Sequence, residues 1–261
     1  MKHTPRKRWG QHFLTDKNLL KKIVRIIQPD PEDVILEIGP GQGSLTELIA
    51  PRVKQLIGIE IDSDLFKLLR EKFAASNCQF INTDFLKVDM EQLPFESNAI
   101  RVVGNIPYNI TSPVIFKLLE SLKLWKDIHL MVQKEVADRL TAKPGSKTYG
   151  RLTVMVQALM NVKQELVIPP DVFSPKPVVY SSFLSIQTHE KFDFDDKSWE
   201  LFSLIVQKGF GQRRKMLKNS LKEFEFDDTL NIDFELRPEM LAIEDFVHLS
   251  KMIKEVNSKE K

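Results

Sequence analysis

The sequence predicts an α/β protein in which a parallel sheet, carrying its ligand at one edge, is followed by a small helical domain. Three observations carry that expectation. Short apolar runs recur, and each stops on polar or glycine residues: Val34–Ile38 before Gly39, Gln55–Ile61 around Glu60, Cys78–Ile81 before Asn82 and Asp84, and Val102–Val103 before Gly104 and Asn105. Stretches with apolar residues at helical spacing separate these runs, among them Asp62–Phe73 and Val114–Lys123. From Trp199 to Lys254 the spacing is helical, with no β alternation. Ligands of open α/β sheets bind at the carboxyl ends of the strands, so the polar stops mark the expected site.

Composition bounds the rest. A chain of 261 residues, 42% hydrophobic, can bury one large core or a large and a small one. No run of about 18 apolar residues suggests a membrane span, and the N-terminus is basic and polar where a signal peptide needs an apolar core. The expected location is therefore the cytosol. Cys78, the single cysteine, cannot form an internal disulfide and is expected as a small core residue in a reducing compartment. The five histidines are scattered without metal-ligand spacing, so no metal is expected. A net charge of +2 says little about partners, but its distribution does: Lys2, Arg6, Lys7, Arg8, Lys17, Lys21, Lys22 and Arg25 face one acid, Asp16, in the first 25 residues.

Taken in order, Arg6–Leu14 mixes basic and aromatic residues without periodicity and reads as a loop arm, whereas Asp16–Ile27 reads as a helix. The aromatics Trp9 and Phe13 argue against an idle tail. In Glu37–Glu47, EIGPGQGSLTE, Gly39, Gly41 and Gly43 let backbone approach a ligand, and a helix beginning near Ser44 would point its amides at the same spot. No lysine follows these glycines, and their spacing departs from G-x-G-x-x-G, so the loop reads as a nucleotide-class site but not a phosphate-gripping one. Glu60, seventeen residues after Gly43, is placed to accept both hydroxyls of a ribose. Asp84 can accept the amino group of an adenine. These strand-end groups describe an adenosine-shaped ligand with its reactive end towards Asn105.

Val102–Thr111, VVGNIPYNIT, suits a narrow chemistry. An exocyclic aromatic amine is a poor nucleophile because its lone pair is delocalised into the ring. Asn105 can accept one N–H through its side-chain oxygen, and the Ile106 carbonyl, restricted by the proline that follows, can accept the other. The lone pair is then freed towards an electrophile, while Tyr108 offers a face for a splayed-out base, a contact of roughly 1–3 kcal/mol.

EIGPGQG, Glu60, Asp84 and NIPY resemble the successive motifs of S-adenosylmethionine-dependent methyltransferases acting on adenine N6, whose sheet is Rossmann-like. With GQHFL, QKEVADRL (Gln133–Leu140), YGRLTVMVQ (Tyr149–Gln157), VFSPKPVV (Val172–Val179) and GQRRKMLKNSL (Gly211–Leu221), nearly the whole chain is similar to the bacterial small-subunit ribosomal RNA adenine dimethyltransferase family. The resemblance implies cofactor contacts from His12, Leu14, Gly39, Glu60, Asp84 and Asn105, with Asn105 also gripping the target amine and Tyr108 and Phe173 enclosing the base. It implies direct methyl transfer, two methyls per adenosine on two adjacent adenosines near the RNA's 3′ end, and a monomer acting on small-subunit RNA within a 30S-type particle. His12 stands where some members carry Asn, and VVYSS where a charged residue is common. The alternatives are a resistance-type enzyme acting on large-subunit RNA and a non-catalytic assembly or transcription factor on the same fold.

The remaining chain supplies Ile128–Val132 as a central strand, Lys134–Leu140 as a helix at the sheet's edge, Lys143–Gly150 as a flexible loop near the RNA entrance, Leu166–Pro177 as a stiff loop presenting Phe173, and Tyr180–Gln187 as the last strand. The expected division is a catalytic domain over residues 1–189 and a helical RNA-binding domain over 190–261. In the latter, Arg213, Arg214 and Lys218 would share one face of a basic helix.

Overall fold

The structure, a computed structural model, describes residues 9–95, 99–227 and 229–256. The arm residues Lys2, Arg6, Lys7 and Arg8 lie outside these. The chain divides into two compact units: one takes in the residues up to Ala137 together with Val162–Thr188, the other Asp138–Asn161 and the residues from His189 onward. The expected single cut after residue 189 is therefore corrected, because Asp138–Asn161 packs with the second unit.

In the first unit the chain runs β1 (Phe13–Leu14), α1 (Lys17–Ile27), β2 (Val34–Ile38), α2 (Thr46–Ile49), β3 (Gln55–Glu60), α3 (Ser63–Lys72), β4 (Cys78–Asn82), β5 (Ile100–Asn105), α4 (Thr111–Glu120) and β6 (Trp125–Gln133). After it the chain passes through α5 (Lys134–Leu140), which crosses the boundary, and α6 (Arg151–Gln157) of the second unit, and the first unit closes with β7 (Met160–Ile168), β8 (Phe173–Ser174) and β9 (Ser181–Thr188). The seven-stranded sheet has the order β4-β3-β2-β5-β6-β9-β7. From β4 to β6 all neighbours are parallel, and β9 joins β6 antiparallel. β2 is buried at every position, as a strand covered on both faces must be, hence its unbroken VILEI. The chain steps outward from β2 through β3 to β4, then returns to lay β5 on the other side of β2. This reversal opens a crevice beyond the ends of β2 and β5, where Ile38 pairs with Gly104.

α1 begins where the Asp16 carboxylate accepts from the amides of Asn18 and Leu19, each at 2.8 Å, and buries Leu20, Ile23, Val24 and Ile27. It stops at Gln28, whose φ of 51° is left-handed. At the amino edge of the sheet, Arg101 of β5 is buried. Its guanidinium reaches Asp33 at 2.6 Å, Asp127 at 2.9 and 2.8 Å, and the α1 carbonyl of Ile27 at 2.5 Å. One residue thus ties three elements at the edge opposite the crevice.

Two stretches read as loops turn out to pair: β1 and β8 form an antiparallel ladder with Leu14 opposite Phe173. β7 was not anticipated. Cys78, on the edge strand β4, is half-buried against the core, and burial pushes its thiol up.

The second unit holds α6, α7 (Asp196–Gly211), α8 (Leu217–Ser220), β10 (Phe224–Phe226), α9 (Ile243–Lys251) and β11 (Ile253–Val256). Phe202 and Phe246 are fully buried in it; Trp199 stacks on Phe202 at 5.5 Å and Phe210 on Phe246 at 5.6 Å. The expectation of a purely helical domain is corrected by the antiparallel pair β10–β11. α7 ends at Gly211, so Arg213 and Arg214 sit in a turn and not on one helix face with Lys218.

Candidate active site

A cavity lies at the carboxyl ends of the central strands, lined by His12, Gly39, Glu60, Asp84, Asn105 and Tyr108, together with Trp9, Phe13, Gly41 and Phe85. Six of the eight anticipated site residues therefore meet on one wall system. The two aromatics that argued against an idle arm are both part of it.

The glycine loop follows β2. Gly39 continues the ladder by donating its amide to Ile59 O at 2.9 Å, then turns with a φ of +64° into space that is open around a would-be Cβ. Bare backbone thus borders the cavity. Gly41, with φ +61°, lies where a Cβ would come 2.9 Å from the Phe13 ring. The helix expected near Ser44 is a single turn, α2, so backbone proximity and not a long helix dipole is what this loop offers.

Glu60 ends β3, 3% exposed. Its carboxylate accepts the Gly41 amide at 3.0 Å and the Asp62 amide at 2.9 Å, so the acid that borders the cavity also shapes the glycine loop. Asp84 borders the cavity while capping the turn after β4 through the Leu86 amide at 3.0 Å.

Asn105 is the last residue of β5, and the next amide, Ile106 N–H, continues the ladder to Met131 O at 3.0 Å. Its Nδ2 donates to the His12 carbonyl at 2.8 Å, which fixes the amide plane and leaves Oδ1 as the acceptor. The His12 ring stacks at 5.6 Å and 24° on Tyr108, and its Nδ1 is 2.7 Å from Pro175 O. Tyr108 Oη lies 2.7 Å from Ser181 Oγ; burial pushes the phenol up more than that bond lowers it. The arm is held at both ends of this stretch, since Gln11 Nε2 donates to Asp62 at 3.1 Å.

The chain matches the family model described as Ribosomal RNA adenine dimethylase over residues 2–255. It belongs to the ribosomal RNA adenine dimethylase family. A relative named Ribosomal RNA small subunit methyltransferase A, from Caldanaerobacter subterraneus subsp. tengcongensis, is 44% identical over 95% of this chain and 97% of its own length. Among solved structures, a dimethyladenosine transferase from Plasmodium falciparum is 26% identical with a TM-score of 0.78, covering 93% of this chain and 99% of its own. The 23S rRNA methyltransferase ErmE is 26% identical with a TM-score of 0.72, covering 92% and 98%.

Two anticipated residues of this adenine dimethylase are not on the cavity wall. Phe173 was expected to enclose the base, yet it is 4% exposed and packs in the core with Leu14, Ile168, Met131 and Phe183. The β1–β8 ladder turns Phe173 and Leu14 inward together, which makes Phe173 a core plug. Leu14 likewise backs the glycine loop from a smaller recess shared with Gly39 and Glu37 instead of touching the cavity.

Glu37 was missed. It is buried in β2 and receives the Thr46 hydroxyl at 2.6 Å; burial first and the Glu60 charge second push its carboxyl up to about 7, against that hydrogen bond. An acid inside an otherwise apolar strand was the available signal. Ser181 was also missed, and nothing in its sequence neighbourhood announces a partner for Tyr108.

Proposed function

We propose that this adenine dimethylase transfers methyl groups from S-adenosylmethionine to N6 of two adjacent adenosines near the 3′ end of small-subunit ribosomal RNA, in the cytoplasm and acting as a monomer on a 30S-type particle. The observation that carries the proposal is the fixed Asn105 amide: His12 holds Nδ2, and Oδ1 remains as an acceptor at the strand end beside Tyr108. The cavity fits the cofactor, since open space around Gly39, a buried carboxylate at Glu60 and a second acid at Asp84 suit the backbone, ribose and adenine of an adenosine.

When bound, S-adenosylmethionine supplies an electrophilic methyl group on a cationic sulfur. Glu60 takes the ribose hydroxyls; a carboxylate has about four lone-pair sites, so it serves backbone and ligand together. Asp84 takes the adenine amino group. Asn105 Oδ1 and the Ile106 carbonyl accept the two N–H groups of the target amine, tilting its lone pair out of conjugation and towards the methyl. Each transfer leaves the amine cationic until it gives one proton to solvent, so once one methyl is in place a single N–H remains to anchor the amine for the second transfer. Tyr108, its ring set by His12 on one face and Ser181 at the hydroxyl, stacks the base. The partly buried, largely uncharged surroundings of Asn105 favour a transition state in which positive charge is dispersed.

The small-subunit substrate is chosen over the large-subunit one on the relative at 44% identity, because the fold likeness extends to enzymes of both names. Primer extension through small-subunit RNA from a strain lacking the gene tests it. Two adjacent stops near the 3′ end should vanish in that strain and return with the wild-type gene but not with Asn105→Ala. Stops that persist without the gene would refute the substrate.

A further inference from the structure

The mechanism leaves the positive charge of α1 without a use. A surface recess is lined by Lys21, Val24, Arg25 and Gln28 of α1 and its cap, by Leu48 of α2 and by Arg52 in the turn after it. Lys21 and Arg25 stand one helical turn apart on the same face, an arrangement that destabilises a helix by like-charge repulsion. Neither has an acidic partner among the described residues, and no acid lines the recess. Arg52, whose Nη1 donates to the Leu48 carbonyl, lines the same recess as Lys21 and Arg25. Of the acids flanking these residues in the sequence, Asp16 accepts the amides of Asn18 and Leu19, Asp30 that of Glu32, Asp33 is held by Arg101 and Lys126, and Glu47 by Lys72. Three solvent-facing cations thus line one recess, two of them kept at a cost to their helix.

We infer that this recess holds backbone phosphates of the substrate RNA, as a second contact on the catalytic unit, apart from the cavity. α1 has 11 residues and so extends about 16 Å from the arm that walls the cavity. RNA entering the cavity thus has a basic track leading away from it. The inference rests on the ribosomal RNA reading above. Phosphate fits better than a carboxylate side chain on a protein, because three cations gathered in one recess match a repeating, permanently charged strand whose binding releases counterions.

The test compares wild type, the triple variant Lys21→Ala/Arg25→Ala/Arg52→Ala, and the charge-keeping exchange Lys21→Arg/Arg25→Lys/Arg52→Lys. Filter binding is measured across a salt series on small-subunit particles and on protein-free small-subunit RNA. Each phosphate contact contributes about 0.7–0.9 to the slope of log affinity against log salt. The triple variant should flatten the slope by about two units on both targets, the exchange variant should keep it, and KM for particles should rise while kcat and S-adenosylmethionine affinity stay. An unchanged slope in the triple variant overturns the inference. So does a change seen with particles but not with RNA, which would assign the recess to an acidic ribosomal protein, and so does a fall in kcat. A wild-type protein that binds S-adenosylmethionine but no small-subunit RNA would overturn the functional reading itself.

Discussion

Replacing Glu60 by Ala should damage the protein in two separable ways. In the free protein its carboxylate accepts two backbone amides in a site only 3% exposed. Hydrogen bonds to a charged group are worth about 1.5–3 kcal/mol each, so removing both costs about 3 kcal/mol at the low end. Part of that returns, because Glu60 is one cause of the raised Glu37 carboxyl and its removal relieves the neighbour. A loss of about 2 kcal/mol in the urea unfolding of the catalytic unit is the expected net. In the complex, the two ribose contacts proposed for Glu60 would go as well, and S-adenosylmethionine affinity should fall about a hundredfold, the equivalent of about 2.8 kcal/mol. Glu60→Gln is no mild control, since one of its two acceptors becomes an NH₂ facing a backbone N–H.

Gly41→Ala separates the effects. It forces a left-handed backbone and a Cβ 2.9 Å from Phe13, disturbing the loop while leaving Glu60 in place. Urea unfolding and titration calorimetry on both variants give the answer. An unfolding midpoint for Glu60→Ala equal to wild type would refute its loop-shaping role. Cofactor binding weakened equally by Gly41→Ala and Glu60→Ala would assign the effect to the loop and refute the direct ribose contact.

Four further outcomes follow from the geometry. Asn105→Ala should cut methyl transfer at least a hundredfold, since one such group supplies about 2.7 kcal/mol or more in comparable sites, with cofactor affinity changed only modestly; Tyr108→Ala should be comparable and Tyr108→Phe milder, the ring surviving without its Ser181 bond, which steady-state kinetics would show. Glu37 has a folded carboxyl raised from 4.5 to about 7, so its ionisation costs stability as pH rises through that window; Glu37→Gln should therefore gain on wild type by about 3 kcal/mol between pH 4.5 and 7, read from urea midpoints at both ends. Asp127 behaves oppositely: burial raises its carboxyl, but His129 and Arg101 outweigh that and hold it at about 2, so its contribution of about 2 kcal/mol is present above pH 4 and lost as pH falls towards 2, a loss absent from an Asp127→Asn/Arg101→Met pair. Arg213 is tied to Lys147 O at 2.8 Å and lies 3.8 Å from Glu239, whereas Arg214 and Lys215 of the same turn are exposed; Arg214→Glu should weaken binding to small-subunit RNA and flatten its salt slope by about one contact in filter binding, with cofactor affinity unchanged.

The catalytic strands were legible because a parallel sheet buried on both faces demands unbroken apolar runs, and a polar residue at the end of such a run has one place to go. Glu60, Asp84 and Asn105 are legible for that reason. β7 escaped because its residues are mostly exposed or half-exposed, so MNVKQELVI lacks the buried signature. The basic turn was misread because apolar residues at Leu217 and Leu221 extend the helical spacing past the point where Gly211 ends α7.

What the sequence concealed is the support around the site, and the concealment has a single physical source. Groups that meet a ligand must break the apolar pattern where they stand, whereas groups that hold them in place are matched only by partners far along the chain. His12 carbonyl meets Asn105 across 93 positions, Ser181 meets Tyr108 across 73, and Asp127 meets Arg101 across 26. Phe173 shows the consequence. Its setting between prolines favours a presented aromatic, yet the two-residue ladder with Phe13–Leu14 turns it inward, and no local pattern records a pairing that short and that distant. Phe173→Leu should then retain methyl transfer, because it keeps the core filled, while Phe173→Ala should cost about 3–5 kcal/mol of stability as a core deletion does. Methyl transfer lost in Phe173→Leu with stability kept would restore the aromatic to the base.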